Sequence, residues 1–314
     1  MNIARNITLG NGMLNKIVLA AKGFCMGAAD VVPGVSGGTM AFILGIYAQL
    51  LAAIRSFDVL WLKAVFTLNI REAFLRPHFG FLIPLGIGLI SAVIFFTRIV
   101  PLPQLLHTHP EPIYGLFFGL ILGSIITLLA EAKKVTGVDF FFLVVGAIVG
   151  WLTVNLVPTE TPDDTWFIFI CGMIAITAMI LPGLSGSFLL LIMKKYDVIL
   201  NGIGQFQLNI LIPFGLGAVT GLVVFSRFLS WLLSRFYQET LLTIVGVLIG
   251  TLWIIWPFQI RHYIVAHGKQ KLINSTPFMP TDFNQTVLYA VLMFFLGLGL
   301  VIGAHQLERR FKTT

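Results

Sequence analysis

The chain has 314 residues, of which 57% are hydrophobic and only 11% charged, against about 25% charged in a soluble domain. So little charge cannot cover a water-soluble fold of this size, and the composition is that of a polytopic membrane protein. Soluble enzymes, disulfide-rich secreted domains and disordered regulators are excluded, and unbroken apolar stretches argue against a transmembrane β-barrel. The net charge of +7 fits cytoplasmic loops that collect Lys and Arg. No basic run is interleaved with aromatics, so no nucleic-acid partner is expected. Cys25 and Cys171 lie in apolar stretches and read as small buried hydrophobes.

In chain order, Arg5 and Lys16 precede an apolar run that resembles the start of a signal peptide, but Lys22 interrupts it. The N-terminus is therefore expected to be retained. Residues 17–54 are apolar but broken by Pro33-Gly34-Val35-Ser36-Gly37-Gly38. Residues 79–100, 113–130 and 140–157 are each long enough to span a bilayer at about 1.5 Å per residue. Residues 166–193 are again broken, by Pro182-Gly183-Leu184-Ser185-Gly186, and spans are expected at 210–233, 241–256 and 286–303. The polar connection 259–285 reads as a loop outside the membrane.

This order of broken, spanning, spanning, spanning occurs twice. At an offset of 149, Pro33, Gly34, Ser36, Gly37, Ile43, Tyr47, Leu51 and Ile54 fall on Pro182, Gly183, Ser185, Gly186, Ile192, Tyr196, Leu200 and Ile203. At 129, Leu82-Ile83-Pro84, Gly86, Gly88, Phe96 and Arg98 fall on Leu211-Ile212-Pro213, Gly215, Gly217, Phe225 and Arg227. At 127, Gly119 and Gly123 fall on Gly246 and Gly250. The change of offset from 149 to 129 is a connection 20 residues longer in the first half. The expected organisation is one integral membrane domain built as a tandem repeat, 14–157 and 163–305.

If each broken segment is a re-entrant hairpin, each half has three full spans and the second half is inverted. With the N-terminus inside, fourteen Lys and Arg then lie inside and six outside, as the positive-inside rule requires. Lys194-Lys195 is the exception, placed outside. The fold expected is an all-α polytopic membrane protein with an inverted-topology repeat and both termini cytoplasmic.

A Pro-Gly-x-Ser-Gly turn at membrane depth ends one half-helix and starts another, whose N-terminus presents unpaired N–H groups and partial positive charge. Ser36 is a natural cap, and Gly37 and Gly38 admit close approach. Such an end suits phosphate or carboxylate, and two of them from inverted halves form the layout of a transporter site. The candidate phosphate-binding residues are Ser36, Gly37, Gly38, Thr39, Ser185, Gly186 and Ser187, with Arg98 and Arg227 either receiving phosphate or snorkelling to the interface. Pro33, Gly34, Pro182 and Gly183 are candidate hinges. Asp30 is an intramembrane acid whose repeat-mate is Met179. It reads either as a coupling or gating group, for protons or sodium, or as a cap for the turn. The histidines lie in loops or at span ends and form no metal motif, and no nucleotide-binding loop is present. No cofactor is expected.

The segment Gly27-Ala28-Ala29-Asp30-Val31-Val32-Pro33-Gly34-Val35-Ser36-Gly37-Gly38-Thr39, with Pro182-Gly183-Leu184-Ser185-Gly186 in the second half, resembles the signature of the PopT-type polyprenyl-phosphate transporter family, formerly a domain of unknown function. The second turn reads Ser-Gly-Ser where the first reads Ser-Gly-Gly-Thr. The resemblance implies a flippase of the bacterial plasma membrane that returns undecaprenyl phosphate from the outer to the inner leaflet for reuse in envelope polymers such as peptidoglycan. It leaves a homodimer open. The alternative is a secondary transporter of a small soluble anion, which the half-helix chemistry serves equally well. A lipid-phosphate phosphatase would need a nucleophile and an acid such as His, and no His lies at the broken helices.

Overall fold

The computed structural model describes residues 13–31, 36–100, 105–106, 108–132, 135–156, 161–162, 164–266 and 269–313. Helix α1 (Met13–Val31) leads through the first turn to two short helices, α2 (Gly37–Ile43) and α3 (Tyr47–Arg55). Two more short helices follow, α4 (Val59–Phe66) and α5 (Ile70–Leu75), before α6 (Phe79–Ile94) and a π-helical turn, Phe95–Ile99. Helices α7 (Pro110–Glu131) and α8 (Gly137–Val154) complete the first half. The second half contains α9 (Thr165–Ile180), α10 (Gly186–Ile192), α11 (Tyr196–Gly204), α12 (Leu208–Arg235) and α13 (Tyr237–Thr251) with a 3-10 turn to Ile255. Strands β1 (Gln259–Ala266) and β2 (Lys269–Pro277) and helix α14 (Gln285–Thr313) end the chain.

Among the described residues, five helices are long and apolar enough to cross a membrane, and the bent pair α2–α3 is a sixth candidate. The protein is a multi-pass, predominantly helical membrane protein. Three details differ from the sequence expectation. The stretch 17–54 breaks twice, because α2 and α3 meet at 117°. Gly45 adopts a φ of 68° there, and Lys194 a φ of 53° at the same place in the second half. In both, the following amide reaches back to close the helix end, Ile46 N to Ala41 O at 3.0 Å and Lys195 N to Leu190 O at 2.8 Å. The second broken stretch consequently runs beyond residue 193, into α11. The connection 259–285 contains an antiparallel hairpin, with Gln259 opposite Pro277, Ala266 opposite Lys269 and an irregularity at His262/Tyr263.

The chain divides into two compact units. One comprises Met1–Pro101 and Leu156–Thr240. In it α1 packs on α6, and α9 on α12. Both pairs rest on glycines where backbones touch. A Cβ on Gly23 would lie 2.0 Å from the Leu85 carbonyl oxygen and one on Gly88 1.9 Å from that of Ala20. The same contacts recur at Gly172 on Phe214, 2.1 Å, and Gly217 on Phe169, 1.9 Å. Small residues set such pairs in lipid, where no hydrophobic force draws helices together. Large residues face outward instead: Ile212, Leu216, Val219, Val224, Phe228 and Trp231 are all exposed along α12.

The other unit comprises Leu102–Asn155 and Leu241–Thr314. Here α7 packs on α14, with Gly119 set against the Phe294 carbonyl. Helix α8 meets α13 in the same way, with Gly246 set against the Leu143 carbonyl. The hairpin base is held by Gln259, whose Nε2 donates to the carbonyls of Trp253 at 2.8 Å and Ile254 at 3.0 Å, and by Trp256 Nε1, which donates to Phe278 O at 3.0 Å.

Candidate functional site at the paired turns

The two Ser-Gly turns lie in the same compact unit and touch. Ser36 begins α2 from an extended conformation (φ −121°, ψ 131°), and its Oγ accepts from the Gly38 amide at 3.2 Å. Pro33 and Gly34 lie outside the described residues. Gly38 sits against the end of α9: a Cβ there would lie 2.6 Å from the Met179 carbonyl oxygen and 2.9 Å from that of Ile180. Thr39 is fully buried, and its Oγ1 accepts from the Gly183 amide at 2.8 Å. Tyr47, at the start of α3, donates its hydroxyl to Ile180 O at 2.8 Å. The first turn therefore grips the C-terminal end of α9 and the second turn through Gly38, Thr39 and Tyr47.

Those bonds satisfy groups that a helix end leaves open. Leu181 and Pro182 end α9, and Gly183, at φ 88°, reverses the chain. Its positive φ is a conformation that glycine adopts without steric cost, and its amide is the one that Thr39 accepts. Pro182 is fully buried.

Asp30 and Met179 occupy equivalent places. Asp30 Oδ1 accepts from the Gly37 amide at 2.7 Å, and a Cβ on Gly37 would lie 2.5 Å from Oδ2. The first α2 amide is thus already engaged by the protein's own carboxylate. Asp30 remains exposed on its other side. In the second half a Cβ on Gly186 would meet the Met179 side chain at 2.7 Å and the Ala175 carbonyl oxygen at 2.2 Å. Ser185 begins α10 without a side-chain cap bond, and its Oγ lies 2.9 Å from Ser187 Oγ. Ser187 is exposed, whereas Ser36, Gly37, Gly38 and Thr39 are buried. The two turns present unlike surfaces: the first is closed by Asp30, and the second carries a pair of accessible hydroxyls beside Met179.

Arg98 is exposed on the π-helical turn and Arg227 is exposed on α12. Among the described residues no hydrogen bond or ion pair joins either arginine to the paired turns. Arg227 lies one helical turn from Ser230, whose Oγ accepts from Arg55 Nη1 at 2.5 Å.

Three polar contacts escaped the reading of the sequence. Tyr47 was visible as an identity with Tyr196 but not as a bridge. Lys22 extends its Nζ to Leu44 O at 2.7 Å, at the bend between α2 and α3. Lys195, buried at the matching bend, donates to Thr161 O at 2.9 Å. The signals were Lys22 inside an apolar stretch and Lys195 as the exception to the charge rule; which carbonyl each meets depends on how the short helices fold back.

Residues 26–273 match the model of a family described as undecaprenyl phosphate translocase-like. The chain belongs to that family. It is 37% identical over 301 residues to a polyprenyl-phosphate transporter of Vibrio cholerae, covering 93% of this chain and 97% of the relative. It is 33% identical over 254 residues to a polyprenyl-phosphate transporter of Staphylococcus aureus, covering 75% of this chain and 84% of the relative. No solved structure matches it significantly. The matched region spans both turns, Asp30, Arg98 and Arg227.

Proposed function

We propose that this protein is a transporter that moves undecaprenyl phosphate from the outer to the inner leaflet of the bacterial plasma membrane, returning the lipid carrier for envelope synthesis. The observation that carries the reading is the near full-length match to a polyprenyl-phosphate transporter, 93% of this chain against 97% of the relative. The paired turns support it chemically. A lipid phosphate is an anion with a tail that stays in the bilayer, so its carrier needs polar donors at membrane depth and little else.

In this reading the two halves are inverted repeats, each with a re-entrant turn, and both termini are cytoplasmic. Phosphate enters at the second turn, where Ser185, Gly186 and Ser187 offer hydroxyls and a helix start. Asp30 holds the first turn closed in the absence of substrate by bonding the Gly37 amide. Protonation or cation binding at Asp30 releases that amide, and Ser36, Gly37, Gly38 and Thr39 then share the phosphate as the halves rock in alternating access. Arg98 and Arg227 receive the headgroup at the two entrances. Nothing in this scheme forms or breaks a covalent bond, so the activity is transport rather than catalysis.

The test is a proteoliposome assay of leaflet-to-leaflet movement of undecaprenyl phosphate, with and without imposed proton or sodium gradients. Protein-dependent movement of the phosphate, and none of undecaprenol, is the expected result. Movement unaffected by either gradient would remove the coupling role of Asp30. No movement under any gradient would overturn the transport reading.

A further inference from the structure

The 20 residues that the first half has in excess form α4 and α5, and no part of the transport scheme uses them. In the second half α11 and α12 are separated by residues 205–207 alone. In the first half the chain leaves α3, makes a helical hairpin and re-enters at α6. The two ends of the excursion are tied together: Ser56 Oγ accepts from the His78 amide at 3.3 Å. Asp58 caps α4 by accepting from the Trp61 amide at 2.8 Å and pairs with Arg76 at 2.9 Å. Trp61 Nε1 donates to Ala73 O at 3.1 Å, joining the two helices. Phe57 packs edge-on against Trp61 and Phe79, at 5.0 and 6.1 Å between ring centres.

The base is therefore well fastened, yet the tip is apolar and uncovered. Phe66 is 79% exposed, Leu68 82% and Ile70 68%. Leu68 holds a φ of 53°, a left-handed conformation that Gly or Asn adopts at less cost. A branched apolar residue at such a tip is unfavourable for folding and explicable by contact with something outside. Helices of eight and six residues are too short to span a membrane. Interleaved with the apolar residues are the exposed cations Lys63 and Arg71, with Glu72 as the exposed acid; Arg76 is held by Asp58.

We propose that the α4–α5 hairpin is an anchor for an anionic leaflet surface: Phe66, Leu68 and Ile70 enter the boundary between headgroups and acyl chains, and Lys63 and Arg71 hold lipid phosphates around them. Two features select a membrane as the occupant. The hairpin is covalently continuous with α6, an apolar helix of 16 residues, and its tied ends keep it at the level where that helix starts. Its apolar residues are accompanied by cations, the combination that binds anionic interfaces. The second half lacks such a hairpin, so the anchor makes one face of a duplicated molecule different from the other. It concentrates phosphate-bearing lipid near one side only.

The experiment reads position rather than transport, so it stands or falls independently of the proposed function. Leu68→Cys in a Cys25→Ala, Cys171→Ala background is labelled with a fluorophore and reconstituted in vesicles holding brominated phosphatidylglycerol or brominated phosphatidylcholine. Strong quenching by brominated lipid and little by aqueous iodide is expected, with phosphatidylglycerol preferred by about threefold. Lys63→Gln with Arg71→Gln should abolish that preference and leave the depth unchanged. A label reached by iodide and not by lipid would overturn the anchor and indicate water or a protein partner. Equal quenching by both lipids would overturn the selectivity for an anionic surface. Thr67→Cys labelled in the same way repeats the measurement at a polar tip residue if the Leu68 variant does not fold.

Discussion

Asp30 and Met179 sit against the first glycine of a short helix in the same way and differ chiefly in charge. The carboxylate satisfies an amide that a helix start leaves open, at a desolvation cost that an apolar residue does not carry. Asp30→Asn keeps an oxygen that accepts from Gly37 and removes the charge. We expect its melting temperature to stay within about 3 °C of the parent, while transport falls by about tenfold, a barrier change near 1.4 kcal/mol. Normal transport in the folded variant would leave Asp30 as a cap alone. Tyr47→Phe tests a different contact. It leaves the Ile180 carbonyl without its buried donor and should destabilise by about 1–2 kcal/mol, read from denaturation in detergent. The cap and the bridge were only half legible in the sequence. An acid beside a Pro-Gly turn is a visible signal, but the partner of Tyr47 lies 133 residues away, across a fold that had to form first.

At the scale of elements, glycines divide into those that touch a neighbouring backbone and those that do not. Gly86 and Gly88 are both identities of the repeat, with Gly215 and Gly217. A Cβ on Gly88 would lie 1.9 Å from the Ala20 carbonyl oxygen, whereas one on Gly86 meets nothing within 4 Å. Gly88→Ala should therefore force α1 from α6 and lose folded protein on size-exclusion chromatography. Gly86→Ala should be neutral or stabilise by up to about 1 kcal/mol, the helix preference of Ala over Gly. The α4–α5 hairpin gives a pH prediction. The Trp61 amide and the Arg76 side chain, bonding Asp58, hold its carboxyl below the usual carboxylate range. A depressed folded value means that its contribution is complete above the unfolded value and is lost as pH falls through the folded one. The clamp should persist at pH 5 and open only on stronger acidification, monitored by Trp61 fluorescence in a protein whose other tryptophans are replaced by Phe. Asp58→Asn should show the open signal at neutral pH.

At the scale of the whole molecule, equivalent elements recur, at an offset of 149 before the α4–α5 hairpin and 129 or 127 after it. Helices α2 and α3 and their counterparts α10 and α11 start at residues 149 apart, and the Gly119 contact with Phe294 is matched by that of Gly246 with Leu143. An inverted arrangement of these halves predicts that single cysteines at Asp164 and Thr313 react with impermeant reagents from opposite sides of the membrane. Reaction from the same side would overturn the inversion and with it the shared phosphate site.

The sequence alone determined that this is a multi-pass, predominantly helical membrane protein and that helices break at two Ser-Gly turns, because composition, apolar run length and Pro-Gly punctuation act locally. It also exposed the recurrence at 149 residues, since equal packing demands leave equal glycines. Only the tertiary structure decided that the first turn is closed by Asp30, that Thr39 meets the second turn through the Gly183 amide, and that the extra segment folds into a hairpin with an uncovered apolar tip. Each of these depends on where a short helix is aimed after a left-handed or extended residue. For Thr39 that direction is set by the Gly183 amide, 144 residues away; for Asp30 and the hairpin it is set by nearer contacts, which exist only once the short helices have folded back.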